Sequence, residues 1–227
     1  AAPCNIALMR QAQSVKKGVK FSGGTPREFC TITVTDGIAM GHEGMKSSLV
    51  SRDVIADSTE LTVRGHCYDA LVGVAGCDKS LPGLMMAMLR LNVPSVFIYG
   101  GSILPGRYNG KDVTVLDVFE GVGKYSSGKM SEHALRKLEL KACPSAGACG
   151  GQFTANTMAC VSEAIGLALP YSAGTPAPYG QREKYALQSG KAVMNLLKKN
   201  IRPRDIVSRK SLENAATIVA ATGGSTN

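Results

Sequence analysis

The sequence predicts an α/β fold in which a mainly parallel sheet is flanked by helices. Short apolar runs rich in β-branched residues alternate with longer segments whose apolar residues recur at helical spacing. The chain has 227 residues, 44% of them hydrophobic, so it is long enough to bury a full core. Strands that alternate with helices are typical of parallel sheets covered on both faces.

Each element follows from a local pattern. Strands are predicted by apolar runs at residues 30–35, 70–75, 94–99 and 217–221. Helices are predicted by periodic segments at residues 7–20, 48–64, 84–91, 131–143, 151–169 and 182–199, with one more helical stretch beginning at Pro203. Residues 171–181 are rich in small residues and proline and predict an irregular loop.

The composition argues against secreted and membrane classes. No run approaches the roughly 18 uninterrupted apolar residues of a membrane span, and the first residues lack the pattern of a signal peptide. Seven cysteines are an odd number without the spacing of a secreted scaffold, so reduced thiols, some of them metal ligands, are expected. We therefore expect a cytoplasmic protein, or an organelle-matrix protein in a eukaryote, without a membrane partner.

The positive charge is uneven along the chain. The formal net charge is +9, and nine Lys or Arg stand between Arg182 and Lys210 against Glu183 and Asp205. Only Tyr185 interleaves with this run, so the base-stacking part of a single-strand binding site is weak. The run predicts a solvated helix face, and no nucleic-acid partner is expected.

Polar residues follow two of the predicted strands directly. Asp36 comes after residues 30–35, and Cys77, Asp78 and Lys79 come after residues 70–75. Ligand sites in parallel sheets lie beyond the carboxyl ends of strands. Two carboxylates there suit Mg²⁺, which keeps open positions for substrate oxygens. The alternative is a buried cysteine followed by a surface ion pair.

A glycine-rich loop at residues 143–154 holds Cys149 just before the predicted helix at 151–169. A helix N-terminus stabilises a thiolate and so favours metal ligation. The spacing is that of neither a ferredoxin nor a structural zinc site. His42, in the loop at 35–45, is more simply interpreted as a hydrogen-bonded loop histidine than as a ligand.

Six distinctive motifs occur in order along the whole chain. They are PCN at 3–5, TDGIAMGHEGM at 35–45, GCDKSLPG at 76–83, YGGSILPG at 99–106, CPSAGACGGQFTANTM at 143–158 and GGSTN at 223–227. Together they resemble the dihydroxy-acid dehydratase and phosphogluconate dehydratase family. Two segments, YGGSILPG and HCYDALVG at 66–73, resemble its dihydroxy-acid branch.

The resemblance implies roles for six residues. Cys4, Cys77 and Cys149 match the cysteines that hold a 2Fe-2S cluster. The residues that match the Mg²⁺ ligands are Asp36, Asp78 and Lys79. The lysine ligates as its carbamate, which presents oxygens where an ammonium has no lone pair. The cysteines that match no ligand, and are expected to be small buried residues or inert thiols, are Cys30, Cys67, Cys143 and Cys160.

The resemblance also implies a reaction. Three cysteines leave one iron of the cluster open as a Lewis acid for the 3-hydroxyl of a 2,3-dihydroxy acid, while Mg²⁺ holds its carboxylate and 2-hydroxyl. The product is a 2-keto acid, as in valine and isoleucine biosynthesis. The alternatives are a sugar-acid dehydratase with the same metal centre and a non-catalytic iron-sulfur or nucleic-acid-binding module.

The family implies parts outside this chain. Its serine base and a further glutamate ligand belong to a C-terminal domain, and its members are homodimers. Residues 1–227 are therefore expected to be the N-terminal domain, truncated at both ends, without turnover by itself.

Overall fold

A computed structural model describes residues 2–227 and places a small parallel sheet between two layers of helices. Strand β1 (Leu71–Ala75) pairs with β2 (Ser95–Tyr99) in the register Leu71↔Ser95 to Ala75↔Tyr99. A hairpin of β3 (Gly106–Tyr108) and β4 (Lys111–Val113) forms a second sheet. The α-helices are α1 (Leu8–Phe21), α2 (Asp36–Ala39), α3 (Ser51–Gly65), α4 (Ser80–Leu91), α5 (Val115–Ser126), α6 (Glu132–Ala142), α7 (Thr154–Ala164), α8 (Gln181–Lys199), α9 (Pro203–Ile206) and α10 (Arg209–Ala221).

Strand β2 sends alternate side chains into two different cores. Val96 and Ile98 pack with α1 and α8 on one face of the sheet. Phe97 and Tyr99 pack with α4 and α7 on the other. All five β2 residues are buried, as expected of a strand covered on both faces. The predicted α/β architecture is confirmed, with a smaller sheet and more helix than the pattern indicated.

Helices α1 and α8 cross at two glycines. A Cβ placed on Gly18 would lie 2.1 Å from Leu187 O, and one on Gly190 would lie 2.2 Å from Val15 O. No side chain fits at either position without moving a helix backbone. The two glycines therefore set how closely this helical layer packs.

We expect Gly18→Ala to destabilise the protein by about 1–3 kcal/mol, because the added methyl overpacks a backbone contact. The matched control is Gly123→Ala in α5, where a Cβ meets nothing within 4 Å. Alanine there is expected to stabilise the helix by about 0.5–1 kcal/mol. Denaturant midpoints of the two variants should move in opposite directions, and a shift of the same sign would contradict the helix crossing.

Two predicted strands are wrong. Residues 30–35 form neither a strand nor a ladder with β1. Both segments line a cavity of about 580 Å³, and Ile32 is 47% exposed. Residues 217–221 belong to α10, which Ser208 opens by accepting a hydrogen bond from Ser211 N. Once that helix has begun, the alanine-rich sequence propagates it in spite of the β-branched residues.

Other differences concern boundaries. Helix α7 covers only Thr154–Ala164 of the predicted 151–169, and α4 begins four residues before the predicted Leu84. The hairpin and α5 were not predicted, although Asn109-Gly110 is a hairpin-turn signal. The irregular loop predicted at 171–181 is confirmed over 171–180, and Gln181 begins α8. Among residues 2–227, no helix is both long and apolar enough to cross a bilayer.

Candidate metal and cluster site

The residues that follow β1 are buried and packed against the start of the chain. Cys77, Asp78 and Lys79 are 2%, 6% and 0% exposed. Cys4 lies in the 3-10 turn Pro3–Asn5 and is also buried. A Cβ on Gly76 would lie 2.0 Å from Cys4 O, so only glycine lets the turn approach the strand end this closely. This contact brings Cys4 and Cys77 together.

The Cys4 and Cys77 thiols lie within hydrogen-bonding reach of each other. A hydrogen bond from Cys77 lowers the pKa of Cys4, because it stabilises the Cys4 thiolate. The same bond raises the pKa of Cys77, with further contributions from burial and from the charge of Asp78. The Cys77 sulfur also lies 3.3 Å from Thr35 Oγ1 and 3.4 Å from Asp78 Oδ2. The thiol pair is therefore adjacent to the carboxylate side of the site.

The segment before Cys149 is joined to the same turn. Gly147 N donates a hydrogen bond to Pro3 O at 3.0 Å. Ala148 pairs with the loop after β2: its N–H donates to Gly101 O at 2.9 Å, and its carbonyl accepts from Ile103 N at 2.7 Å. Cys149 follows directly, so all three predicted cluster cysteines lie at the carboxyl ends of β1 and β2.

Asn156 fixes the backbone on both sides of Gly150. Its side-chain amide donates to Cys149 O at 2.6 Å and to Gly151 O at 2.5 Å. Its own Oδ1 accepts from the buried Tyr99 hydroxyl at 2.5 Å. The guanidinium of Arg182, which is fully buried, lies 5.8 Å from the Tyr99 ring centroid. The supporting roles of Asn156, Tyr99 and Arg182 were not predicted from the sequence, because only the fold places the end of β2 next to the Cys149 loop.

The helix N-terminus does not activate Cys149 as predicted. Helix α7 begins at Thr154, five residues after Cys149, and a helix dipole acts mainly within the first turn. Burial, together with the charges of Asp78 and Cys4, raises the pKa of the Cys149 thiol to about 11. The thiol is therefore protonated at neutral pH in the metal-free protein, and a metal must displace its proton.

Asp36, Asp78 and Lys79 form the polar half of the site. The Lys79 ammonium lies 2.7 Å from Asp36 Oδ2. Asp36 N donates to Asp78 Oδ2 at 3.0 Å. Asp36 opens α2 instead of ending a strand, so the prediction of its position was wrong, although its proximity to Asp78 was right. Asp36, Asp78 and Lys79 therefore lie next to one another.

Asp36, Asp78 and Lys79 fit a hard cation only if Lys79 loses its positive charge. Two carboxylates supply oxygen ligands of the type that Mg²⁺ prefers. The Lys79 ammonium, however, donates a hydrogen bond to Asp36. It carries the same sign of charge as the cation and has no lone pair with which to bind it. Conversion of Lys79 to a carbamate would replace that charge with oxygen donors, and the residues then fit Mg²⁺.

The three cysteines fit a binuclear cluster in ligand type. Within residues 2–227, no three His, Cys, Asp or Glu side chains surround one point as the ligands of a single ion would. A two-iron cluster takes its cysteines at different irons, so its ligands surround a volume and need not meet at one point. The segments that carry Cys4, Cys77 and Cys149 meet at the carboxyl ends of β1 and β2, so these cysteines are the residues that would hold such a cluster.

His42 and the four remaining cysteines were the other candidate residues in the sequence. His42 accepts from Gly44 N at 3.0 Å and contacts Ile38 O at 2.8 Å, so it caps the following 3-10 turn as a hydrogen-bonded loop histidine. Of the four cysteines that match no ligand position, Cys30, Cys67 and Cys143 are exposed and Cys160 is half-buried, so the first three are not buried residues.

The basic run does not form one continuous surface. Arg182, in the first turn of α8, is fully buried. Arg204 has a structural role, because its guanidinium donates hydrogen bonds to Leu89 O at 2.8 Å and to Arg90 O at 3.3 Å. Arg209 pairs with Glu213 on its own helix. The prediction of a solvated helix face is therefore wrong for Arg182, which is buried.

The whole chain matches one family model. Residues 1–227 match the model described as dihydroxy-acid/6-phosphogluconate dehydratase N-terminal. A protein of Pelagibacter ubique named dihydroxy-acid dehydratase is 89% identical over the 227 residues. Proteins of the same name from Parvibaculum lavamentivorans and Sulfurisphaera tokodaii are 80% and 54% identical over the same length. The chain is covered fully in these comparisons and spans about two fifths of each relative, between 39% and 40%.

Proposed function

Because this chain belongs to the dihydroxy-acid/6-phosphogluconate dehydratase family, we propose that it is the cluster-binding part of a dihydroxy-acid dehydratase. The complete protein is a hydro-lyase that converts 2,3-dihydroxyisovalerate and 2,3-dihydroxy-3-methylvalerate to 2-keto acids for valine and isoleucine. The names of the similar proteins support this substrate class over sugar acids.

One observation carries the proposal: the hydrogen bond from Gly147 N to Pro3 O and the contact of Gly76 with Cys4 O bring three cysteine segments to one edge of the sheet. Cys4, Cys77 and Cys149 would hold a 2Fe-2S cluster there. When bound, the cluster would supply a Lewis-acidic iron for a departing hydroxyl, and Mg²⁺ would bind the carboxylate and 2-hydroxyl of the substrate.

In this proposal, the residues of this chain bind the cluster and the Mg²⁺ and fix their positions. Each cysteine gives up its thiol proton on ligation, which is costly for Cys77 and Cys149 because their pKa values are raised. Asp36, Asp78 and a carbamylated Lys79 hold the Mg²⁺ beside the thiols. Since Asp36, Asp78 and Lys79 are buried, water is largely kept from the ligands. The base that takes the proton from C2 is a serine outside this chain, as the family resemblance implies.

We also propose that the complete protein is a cytoplasmic homodimer. The seven cysteines are free in the described chain, which suits a reducing compartment. A homodimer is what the family resemblance implies.

The test uses the complete protein, purified without oxygen. We expect iron and sulfide in equal amounts, bound magnesium, and 2-keto acid from 2,3-dihydroxyisovalerate. Dehydration of aldonates alone would replace the proposal with the sugar-acid reaction. A full cluster without dehydration of either substrate would instead indicate a non-catalytic iron-sulfur protein.

A further inference from the structure

The Asp36 carboxylate is held by three donors from three segments. Ser48 Oγ donates to Oδ1. Lys79 Nζ and Asn227 Nδ2 donate to Oδ2, at 2.7 Å and 3.1 Å. The two oxygens are therefore held by different parts of the chain, which blocks rotation of the carboxylate about its Cβ–Cγ bond.

We propose that Ser48 and Asn227 are positioning residues that orient Asp36 as a metal ligand. The inference rests on the proposed function, because it assumes that Asp36 ligates a divalent cation. Ligating carboxylates depend on hydrogen-bond partners that fix their orientation, and loss of such a partner weakens metal binding.

Ser48 is well placed for this role. It is 1% exposed, and its backbone is fixed from both sides: its N–H donates to Met45 O at 3.1 Å, and its carbonyl accepts from Ser51 Oγ at 2.6 Å. Its hydroxyl points at Asp36 Oδ1. A buried hydroxyl held this way has little freedom to find another acceptor, so its hydrogen bond fixes where that oxygen lies.

Asn227 links Asp36 to the helix that follows the Cys149 loop. The turn before it is tied to the first turns of α7: Ser225 N donates to Thr157 Oγ1 at 2.9 Å, and the hydroxyls of Ser225 and Thr154 lie 3.0 Å apart. Asn227 then reaches across to Asp36. The cation half and the thiol half of the site are thereby held in one arrangement by side chains that ligate neither metal.

The test measures Mn²⁺ affinity of the complete, cluster-loaded protein by the electron paramagnetic resonance signal of free Mn²⁺. We expect Ser48→Ala to raise the Mn²⁺ dissociation constant about 10-fold or more. Asn227→Ala, at an exposed position where folding is not at stake, should raise it by a smaller but measurable factor. The matched control is Ser162→Ala, which removes an equally buried hydroxyl that donates to Ala159 O, far from Asp36 in the chain.

The outcomes separate the inference from the proposed function. Asp36→Asn should abolish Mn²⁺ binding; if it does, but Ser48→Ala and Asn227→Ala bind as tightly as the parent, the positioning role is wrong and the metal site stands. If the parent protein itself binds no Mn²⁺, or Asp36→Asn leaves binding intact, the metal site and the inference both fall. A loss of thermal stability shared by Ser48→Ala and Ser162→Ala, with Mn²⁺ affinity unchanged in both, would reduce Ser48 to a structural role.

Discussion

Replacing Lys79 with methionine is expected to lower the free energy of unfolding of the metal-free protein by about 3–5 kcal/mol. Lys79 is fully buried, and its ammonium is the cation that faces the buried Asp36 carboxylate at 2.7 Å. The variant keeps a similar side-chain volume but leaves that carboxylate without its counter-charge. Denaturant unfolding, without divalent ions or bicarbonate, measures the loss.

Two comparisons isolate the buried pair. Arg107→Met breaks the ion pair with Asp112 at the same 2.7 Å, but both side chains are more than 60% exposed. An exposed pair contributes about 0–1 kcal/mol, so this variant should be nearly neutral. The double variant Asp36→Leu/Lys79→Met removes both charges and should recover most of the stability lost by Lys79→Met.

Activity gives a second readout of the same substitution. Methionine cannot form a carbamate, so the complete protein carrying Lys79→Met should bind no divalent cation and form no keto acid. Unchanged stability in the metal-free state would show that Asp36 and Lys79 do not form a buried pair. Retained cation binding would remove Lys79 from the proposed ligand set.

The sequence correctly predicted a strand directly before Cys77, Asp78 and Lys79, but it predicted two other strands wrongly. Residues 76–79 are specified locally, because an apolar strand followed at once by Cys77, Asp78 and Lys79 has few alternative arrangements in a parallel sheet. Residues 30–35 have an equally β-branched pattern but form no strand. Whether a short run joins a sheet depends on packing against a distant edge, which a local pattern does not contain.

The residues that support the proposed ligands could not be predicted for a related reason. Ser48, Asn156 and Asn227 are ordinary polar residues in the sequence, and each acquires its role from a partner far along the chain. Asn227 lies 191 positions from Asp36, and Tyr99 lies 57 positions from Asn156. Helix caps and hairpin turns carry short-range signals, whereas these contacts arise only from tertiary structure.

Replacing Cys149 with serine is expected to remove the cluster and lower kcat/KM of the complete protein by roughly 10³-fold or more. Loss of a Lewis-acidic metal removes several kcal/mol of transition-state stabilisation, and each 1.36 kcal/mol is about tenfold in rate. Cys4→Ser and Cys77→Ser should have the same effect, because a hydroxyl is a poor substitute for a thiolate as an iron ligand. Visible absorption and iron content measure cluster loss independently of turnover.

The control is Cys67→Ser, which changes an exposed cysteine whose sulfur only contacts Arg64 O at 3.6 Å. It should keep full cluster content and full activity. The comparison matters most for Cys149, because its backbone is held by Asn156 whatever residue stands there. Serine at 149 should therefore leave the loop in place while removing only the sulfur, so any loss reports ligation rather than misfolding.

A Cys149→Ser protein with unchanged iron content and turnover would mean that the third ligand lies elsewhere. The convergence of Cys4, Cys77 and Cys149 would then have to be explained by packing alone.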